Sequence, residues 1–125
     1  MGHVLSERNV GKHDRLAFAI AAAGLTFDKT VKFEGEELVY FLLECYDATN
    51  AVTRTVSIID ANTVTVWTDG TARADNSKNS IPVFITDGVT KSLGLPLDGT
   101  YTVRITLSDV AGGTGGTDYL TLFVK

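Results

Sequence analysis

Apolar and polar residues alternate with a period of two over much of the chain, the mark of strands with one buried and one wet face. Between 101 and 107, Tyr101, Val103, Ile105 and Leu107 fall on one side and Thr102, Arg104 and Thr106 on the other. The run 118–125 repeats the pattern, with Leu120, Leu122 and Val124 set against Tyr119, Thr121 and Phe123. Because only the glycine-rich stretch 111–117 separates them, these two segments are expected to pair as a hairpin with a flexible loop. Upstream, Val52, Val56 and Ile58 alternate with Thr53, Thr55 and Ser57, and Val64 and Val66 with Thr63, Thr65 and Trp67. Asp60-Ala61-Asn62 supplies the turn between those two strands. A shorter strand over 81–86 carries Pro82 near its start, where a missing N–H suits a sheet edge, and Asp87-Gly88 turns after it. Two segments are ambiguous. Residues 36–46 fit a strand or a buried helix; strand is preferred, with Val39, Phe41, Leu43 and Cys45 facing the core. Residues 16–23 fit a first strand or a short helix equally well.

The sum is an all-β chain: a single antiparallel β-sandwich of about seven strands over 15–125, preceded by an N-terminal arm over 1–14. The 17 threonines reinforce the strand bias. The arm holds only Val4, Leu5 and Val10 as sizeable apolar groups, so it is expected to be mobile alone and ordered against a neighbour. At 125 residues one core suffices, and 44% hydrophobic with 21% charged residues is the balance of an ordinary globular domain. A net charge of −4 gives no electrostatic footprint for nucleic acid. The apolar run 16–24 is far too short to span a bilayer. Glu7 and Asp14 break the positive flank that a secretory leader would carry, so the run is expected to be structural.

The chemistry is sparse. Cys45 is the single cysteine, which rules out a disulfide within the chain and a Cys-based zinc site. With both histidines, His3 and His13, far away in the N-terminal stretch, Cys45 reads as a buried, inert thiol. Carboxylates at Asp47, Asp60, Asp69, Asp87 and Asp98 fall in turns, where they cap backbone groups. No nucleophile elbow, zinc-binding helix or Walker loop occurs, so no enzyme, cofactor or metal is expected. The polar stretch 68–80 reads as an exposed loop. Its oxygen donors Asp69, Asp75, Asn76 and Asn79 lack the alternate spacing of an EF-hand, which leaves a solvated loop or a partner contact through Asp69, Asp75 and Asn76. The tract Gly112 to Gly116 lies between two strands and not before a helix, so it is a poor phosphate cradle.

The segment Leu97-Asp-Gly-Thr-Tyr-Thr-Val-Arg-Ile-Thr-Leu-Ser-Asp109, a glycine-rich loop, and Asp118-Tyr-Leu-Thr-Leu-Phe-Val124 together resemble the last two strands of bacterial and viral immunoglobulin-like modules, including the PKD type. The likeness covers about a quarter of the chain and implies a tyrosine corner, with Tyr101 tied back to nearby backbone after Asp98 and Gly99. In style it is similar to phage virion accessory proteins of the decoration, tail or baseplate kind. The implied function is a non-enzymatic assembly module that forms a homo-oligomer or docks on capsid or tail proteins. It would work in the virion after synthesis in the host cytoplasm. The arm residues Val4, Leu5 and Val10 and the loop residues Asp69, Asp75 and Asn76 are its candidate contacts. The alternative is an adhesion module for carbohydrate or a cell-surface protein, at the bacterial surface or secreted. Sugar binding would lean on Trp67, Tyr119 and Phe123, although Trp67 reads first as a core residue.

Overall fold

The computed structural model describes residues 2–4, 13–87 and 89–125. Within them the chain forms ten strands and no helix: β1 Gly2–Val4, β2 His13–Ile20, β3 Thr26–Glu44, β4 Arg54–Asp60, β5 Thr65–Thr68, β6 Lys78–Pro82, β7 Phe84–Asp87, β8 Thr90–Leu93, β9 Leu95–Leu107 and β10 Gly116–Val124. All described pairings are antiparallel except β1 with β3.

The 19-residue β3 organises the whole. Its register breaks between Phe33 and Glu36, where Gly35 adopts a φ of 70° that an L side chain resists. Before that break β3 lies between β1 and β9; after it, its second half lies between β10 and β6. One strand thus serves two layers, β1-β3-β9-β4-β5 and β2-β10-β3-β6. They close on a single core of Val31, Phe33, Leu38, Phe41 and Leu43 from β3, Leu16, Phe18 and Ile20 from β2, Val56 and Ile58 from β4, Val103, Ile105 and Leu107 from β9, and Leu120, Leu122 and Val124 from β10. The fold is an all-β antiparallel sandwich. Each of these larger side chains contributes roughly 1.5–3 kcal/mol by leaving water.

Both ambiguous segments are strand. In β2 the burial of Leu16, Phe18 and Ile20 follows the two-residue period, with the alanines between them left outward. In β3, Phe41, Leu43 and Cys45 face the core as expected, but Val39 does not; Leu38 is the buried residue. Phe123 stands opposite Tyr40 while Val124 stands opposite Leu38, so Val39 is the extra residue of a bulge and the phase slips by one there. The expected strand 81–86 is broken at Val83. Its N–H donates to the Val39 carbonyl, and the chain beyond leaves as the separate hairpin β7–β8. The boundary of the arm also moves: β2 begins at His13, and Gly2–Val4 runs parallel to Thr30–Lys32. Leu5 and Val10, like all of 5–12, lie outside the described residues.

The expected C-terminal hairpin is overturned. β3 lies between β9 and β10, so the two alternating segments never touch as neighbours. Alternation specifies which face of a strand is buried; it says nothing about which strand lies alongside. The glycine-rich link therefore crosses from one layer to the other, and it is fastened rather than flexible. Ala111 accepts from the Asn50 N–H at 2.8 Å, and Gly112 donates to Ala22 at 2.9 Å. Gly115 has a φ of 77°, and a Cβ there would strike the Ile20 carbonyl oxygen, which is why glycine occupies it.

Candidate functional site

Two charged residues sit in phase with apolar faces. Arg54 shares its side of the chain with Val52, Val56 and Ile58, and Asp118 shares its side with Leu120, Leu122 and Val124; both are completely buried. They meet in a two-pronged ion pair, Arg54 Nε to Asp118 Oδ2 at 2.9 Å and Nη2 to Oδ1 at 3.2 Å. The rest of the guanidinium donates to the Val52 and Tyr46 carbonyls and to Asp75 Oδ1. Asp118 in turn accepts the Tyr46 N–H, and Asp75 the Ala48 N–H. One arginine therefore ties β4, β10, the segment after β3 and the loop after β5 into one knot at an end of the sandwich.

The electrostatics agree with a strut. Burial pushes Asp75 upward, but the hydrogen bonds from Arg54 and Ala48 and the charge of Arg54 outweigh it and hold the carboxyl below its usual range. Burial also opposes the charge on Arg54, and hydrogen bonds to Asp118 and Asp75 more than restore it. The neighbouring Cys45 thiol is pushed up to about 11, chiefly by burial and then by Asp118, so it stays protonated near neutrality. An arginine whose donors are bound to two carboxylates and two carbonyls holds elements together and moves no proton.

The loop after β5 is drawn inward by the same logic. Asp69 is buried and grips Arg73 through Nε at 2.7 Å and Nη2 at 2.9 Å, and Arg73 exchanges backbone hydrogen bonds with Arg54. Of the loop contacts expected from sequence, Asp69 and Asp75 are thus engaged within the chain, whereas Asn76 is exposed and left-handed at φ 49°. Tyr101 is not placed as a corner would require. It stands in the middle of β9, half-buried, with its ring edge-on to Phe33 at 5.8 Å, and Asp98 and Gly99 are already part of the same strand. Strand pairing of Gly99 with Phe33 takes the place of the turn that the resemblance implied.

The outward aromatics are partly covered. The Arg15 guanidinium lies 3.7 Å from the Tyr119 ring centre, and His13 stacks on Phe123 at 5.8 Å. Tyr40, Leu42 and Phe123 line a shallow apolar groove on that face. Trp67 packs on Phe41 at 5.6 Å while Val64 and Val66 of the same segment face solvent, the reverse of a strand that buries its valines. The Trp67 indole N–H donates to the Phe84 carbonyl at 3.1 Å, and Gly94 donates to Val83 at 2.7 Å, so these bonds anchor the β7–β8 hairpin at its base. Phe84 and Leu93 at that base and Ile85 beyond it are about 40% exposed, and Val89 is fully so. Sequence patterning missed this, because 84–93 carries no uniform period. Among the described residues no group of three His, Cys, Asp or Glu side chains is placed to hold a metal ion, and no helix is long and apolar enough to cross a membrane.

No family model and no curated protein matches the sequence. Solved structures align with this chain at low identity. The pre-peptidase C-terminal domain of a collagenase from Bacillus anthracis aligns over 100% of this chain and 95% of its own, at 10% identity and a TM-score of 0.43. A beta-glucosidase from Paenibacillus barengoltzii aligns over 97% of this chain and 11% of its own, at 13% identity and 0.40. A structure of infectious bursal disease virus, Gx strain, aligns over 90% of this chain and 30% of its own, at 14% identity and 0.39. At such identities and scores the likeness is too loose to carry a ligand, partner or activity over to this chain.

Proposed function

We propose that this chain is a non-enzymatic structural module, an immunoglobulin-like sandwich that assembles with copies of itself or with the capsid or tail proteins of a virion. The observation that supports it best is the β7–β8 hairpin. A two-stranded ribbon is marginal on its own in water, yet this one extends from the sandwich with Phe84, Ile85, Val89 and Leu93 turned to solvent. Covering the fully exposed Val89 gains roughly 1.5–3 kcal/mol, and covering the remaining exposed part of the other three adds less each, so a partner surface over the hairpin is favoured. The apolar groove of Tyr40, Leu42 and Phe123 adds a second surface of the same character.

Sedimentation equilibrium tests the assembly reading. The wild-type chain is expected at a multiple of 13.4 kDa, and a chain carrying both Ile85→Asp and Val89→Asp is expected at the monomer mass with its melting temperature retained. A wild-type monomer that also fails to attach to particles would overturn it.

A further inference from the structure

The hairpin also forms one wall of a cleft of about 390 Å³, whose other wall is β5 and the loop that follows it. That volume lies at the small end of ligand sites, which run roughly 300–1,000 Å³. The lining combines two aromatic rings, Trp67 and Phe84, with Thr71 and Thr86 and with the cations Arg73 and Lys91. Among the described residues Asp69 is its one acid, and it is committed: Oδ2 receives Arg73 Nε, and Oδ1 receives Arg73 Nη2 and the Thr71 N–H. That grip uses the side-on face of the guanidinium. Nη1 makes no hydrogen bond to any described residue, so the end-on pair of Nη1 and Nη2 retains donors in the geometry that suits a second carboxylate. Among the described lining residues two cations, Arg73 and Lys91, stand against the single acid Asp69, one net positive charge on a chain whose net charge is −4.

We propose that this cleft binds a carboxylated sugar, a hexuronate unit of an acidic polysaccharide. With Lys91 Nζ lying 5.1 Å from the Phe84 ring centre, the Trp67 surface accepts the C–H face of a pyranose ring, threonine hydroxyls exchange hydrogen bonds with its hydroxyls, and Arg73 with Lys91 draws in the carboxylate. A purely apolar ligand would leave those donors unpaired. A nucleic-acid strand would need a basic track, which one net positive charge does not make. Ile85 and Val89 are not among the lining residues although Phe84 is, so the Ile85→Asp, Val89→Asp variant tests assembly without altering the lining of the cleft.

Trp67 is the only tryptophan, so its fluorescence reports on the cleft directly. Titration with trigalacturonate should change its emission saturably, while maltotriose and inorganic phosphate at equal concentration should not. Lys91→Gln, on an exposed hairpin position, should weaken the trigalacturonate response at least about threefold, the loss of one charge-assisted contact, with the melting temperature unchanged. Absence of any response up to about 10 mM, weaker than the weakest useful affinities, would overturn the proposal. So would an equal response to maltotriose, an equal response to phosphate alone, or an unaltered affinity in Lys91→Gln.

Discussion

The knot around Arg54 and the β7–β8 hairpin break opposite rules of a soluble sandwich. At the knot, charge is buried with the core; at the hairpin, apolar side chains are left in water. The knot compensates its charges, because Arg54 Nε, Nη1 and Nη2 all bond to carboxylate or carbonyl oxygens and Asp118 also takes the Tyr46 N–H. Among the described residues the hairpin is compensated by the two hydrogen bonds at its base and by Lys91 Nζ 5.1 Å from the Phe84 ring centre, while Val89 stays fully exposed. A violation closed within the chain fixes structure, and one left open to solvent is the better place to look for function.

Removing one partner of the knot should produce the largest effect. Arg54→Met leaves Asp118 charged and fully buried, so unfolding in denaturant should be easier by about 3–5 kcal/mol. Adding Asp118→Leu should recover much of that loss, because apolar residues of similar volume often replace a buried pair at little cost. A single variant within about 0.5 kcal/mol of wild type would show that the knot holds nothing.

The glycines draw the same contrast more finely. Gly115, at the knot end of the molecule, combines a φ of 77° with a backbone oxygen in the way of a Cβ, so Gly115→Ala should cost more than about 1 kcal/mol. Gly70 lines the cleft beside the hairpin; it has no positive φ, and a Cβ there would meet nothing within 4 Å. Gly70→Ala should therefore be neutral or stabilising by up to about 1 kcal/mol. Equal losses at both positions, compared by thermal denaturation, would erase the distinction.

Proton linkage sharpens it again, because Asp75 and Cys45, both shifted, lie at the knot. Asp75 is held below its ordinary value of 3.8, so its contribution is complete above that pH and is lost as pH falls through the lower folded-state value. Cys45 is raised from 9.0 to about 11, so its contribution is complete below pH 9 and is lost as pH rises toward 11. Stability measured against pH should fall at both ends. Asp75→Asn should flatten the acid limb and Cys45→Ala the alkaline one. Limbs that persist unchanged in those variants would place the linkage elsewhere.

Much of the sandwich was legible because burial and alternation are local. Val103, Ile105 and Leu107, or Leu120, Leu122 and Val124, declare their face without reference to anything else, whereas 16–23 fitted strand and helix alike until its neighbours were known. Pairing was not legible: β3 slips between β9 and β10 because a long, bent strand can serve two layers, and no residue of the two C-terminal segments encodes that insertion. The bulge at Val39 depends on the register against β10, and so was equally hidden. The knot, by contrast, left a signal. Arg54 and Asp118 each stand in phase with an apolar face, and two opposite charges in such positions have a strong reason to meet. For the exposed hairpin there was no signal of this kind, since a stretch as short as Phe84–Leu93 reads the same whether its apolar residues end in the core or outside it.

The smallest expected effect tests the open side of the comparison. Val89 is fully exposed at the hairpin's end, so Val89→Asp removes no packing from the described sandwich. A surface substitution of that kind should shift unfolding by no more than about 0.5 kcal/mol, on the order of a tenth of the loss at Arg54. Under dilute conditions, where the chain is monomeric, the two proteins should therefore melt alike. On concentration, the wild type should gain stability by mass action while the variant should not, because a charge at the contact must be stripped of water before the surface can close. If the variant loses more than 1 kcal/mol even when dilute, on the order of a buried-site effect, the hairpin is held by the sandwich itself and its apolar residues belong to the fold rather than to a partner.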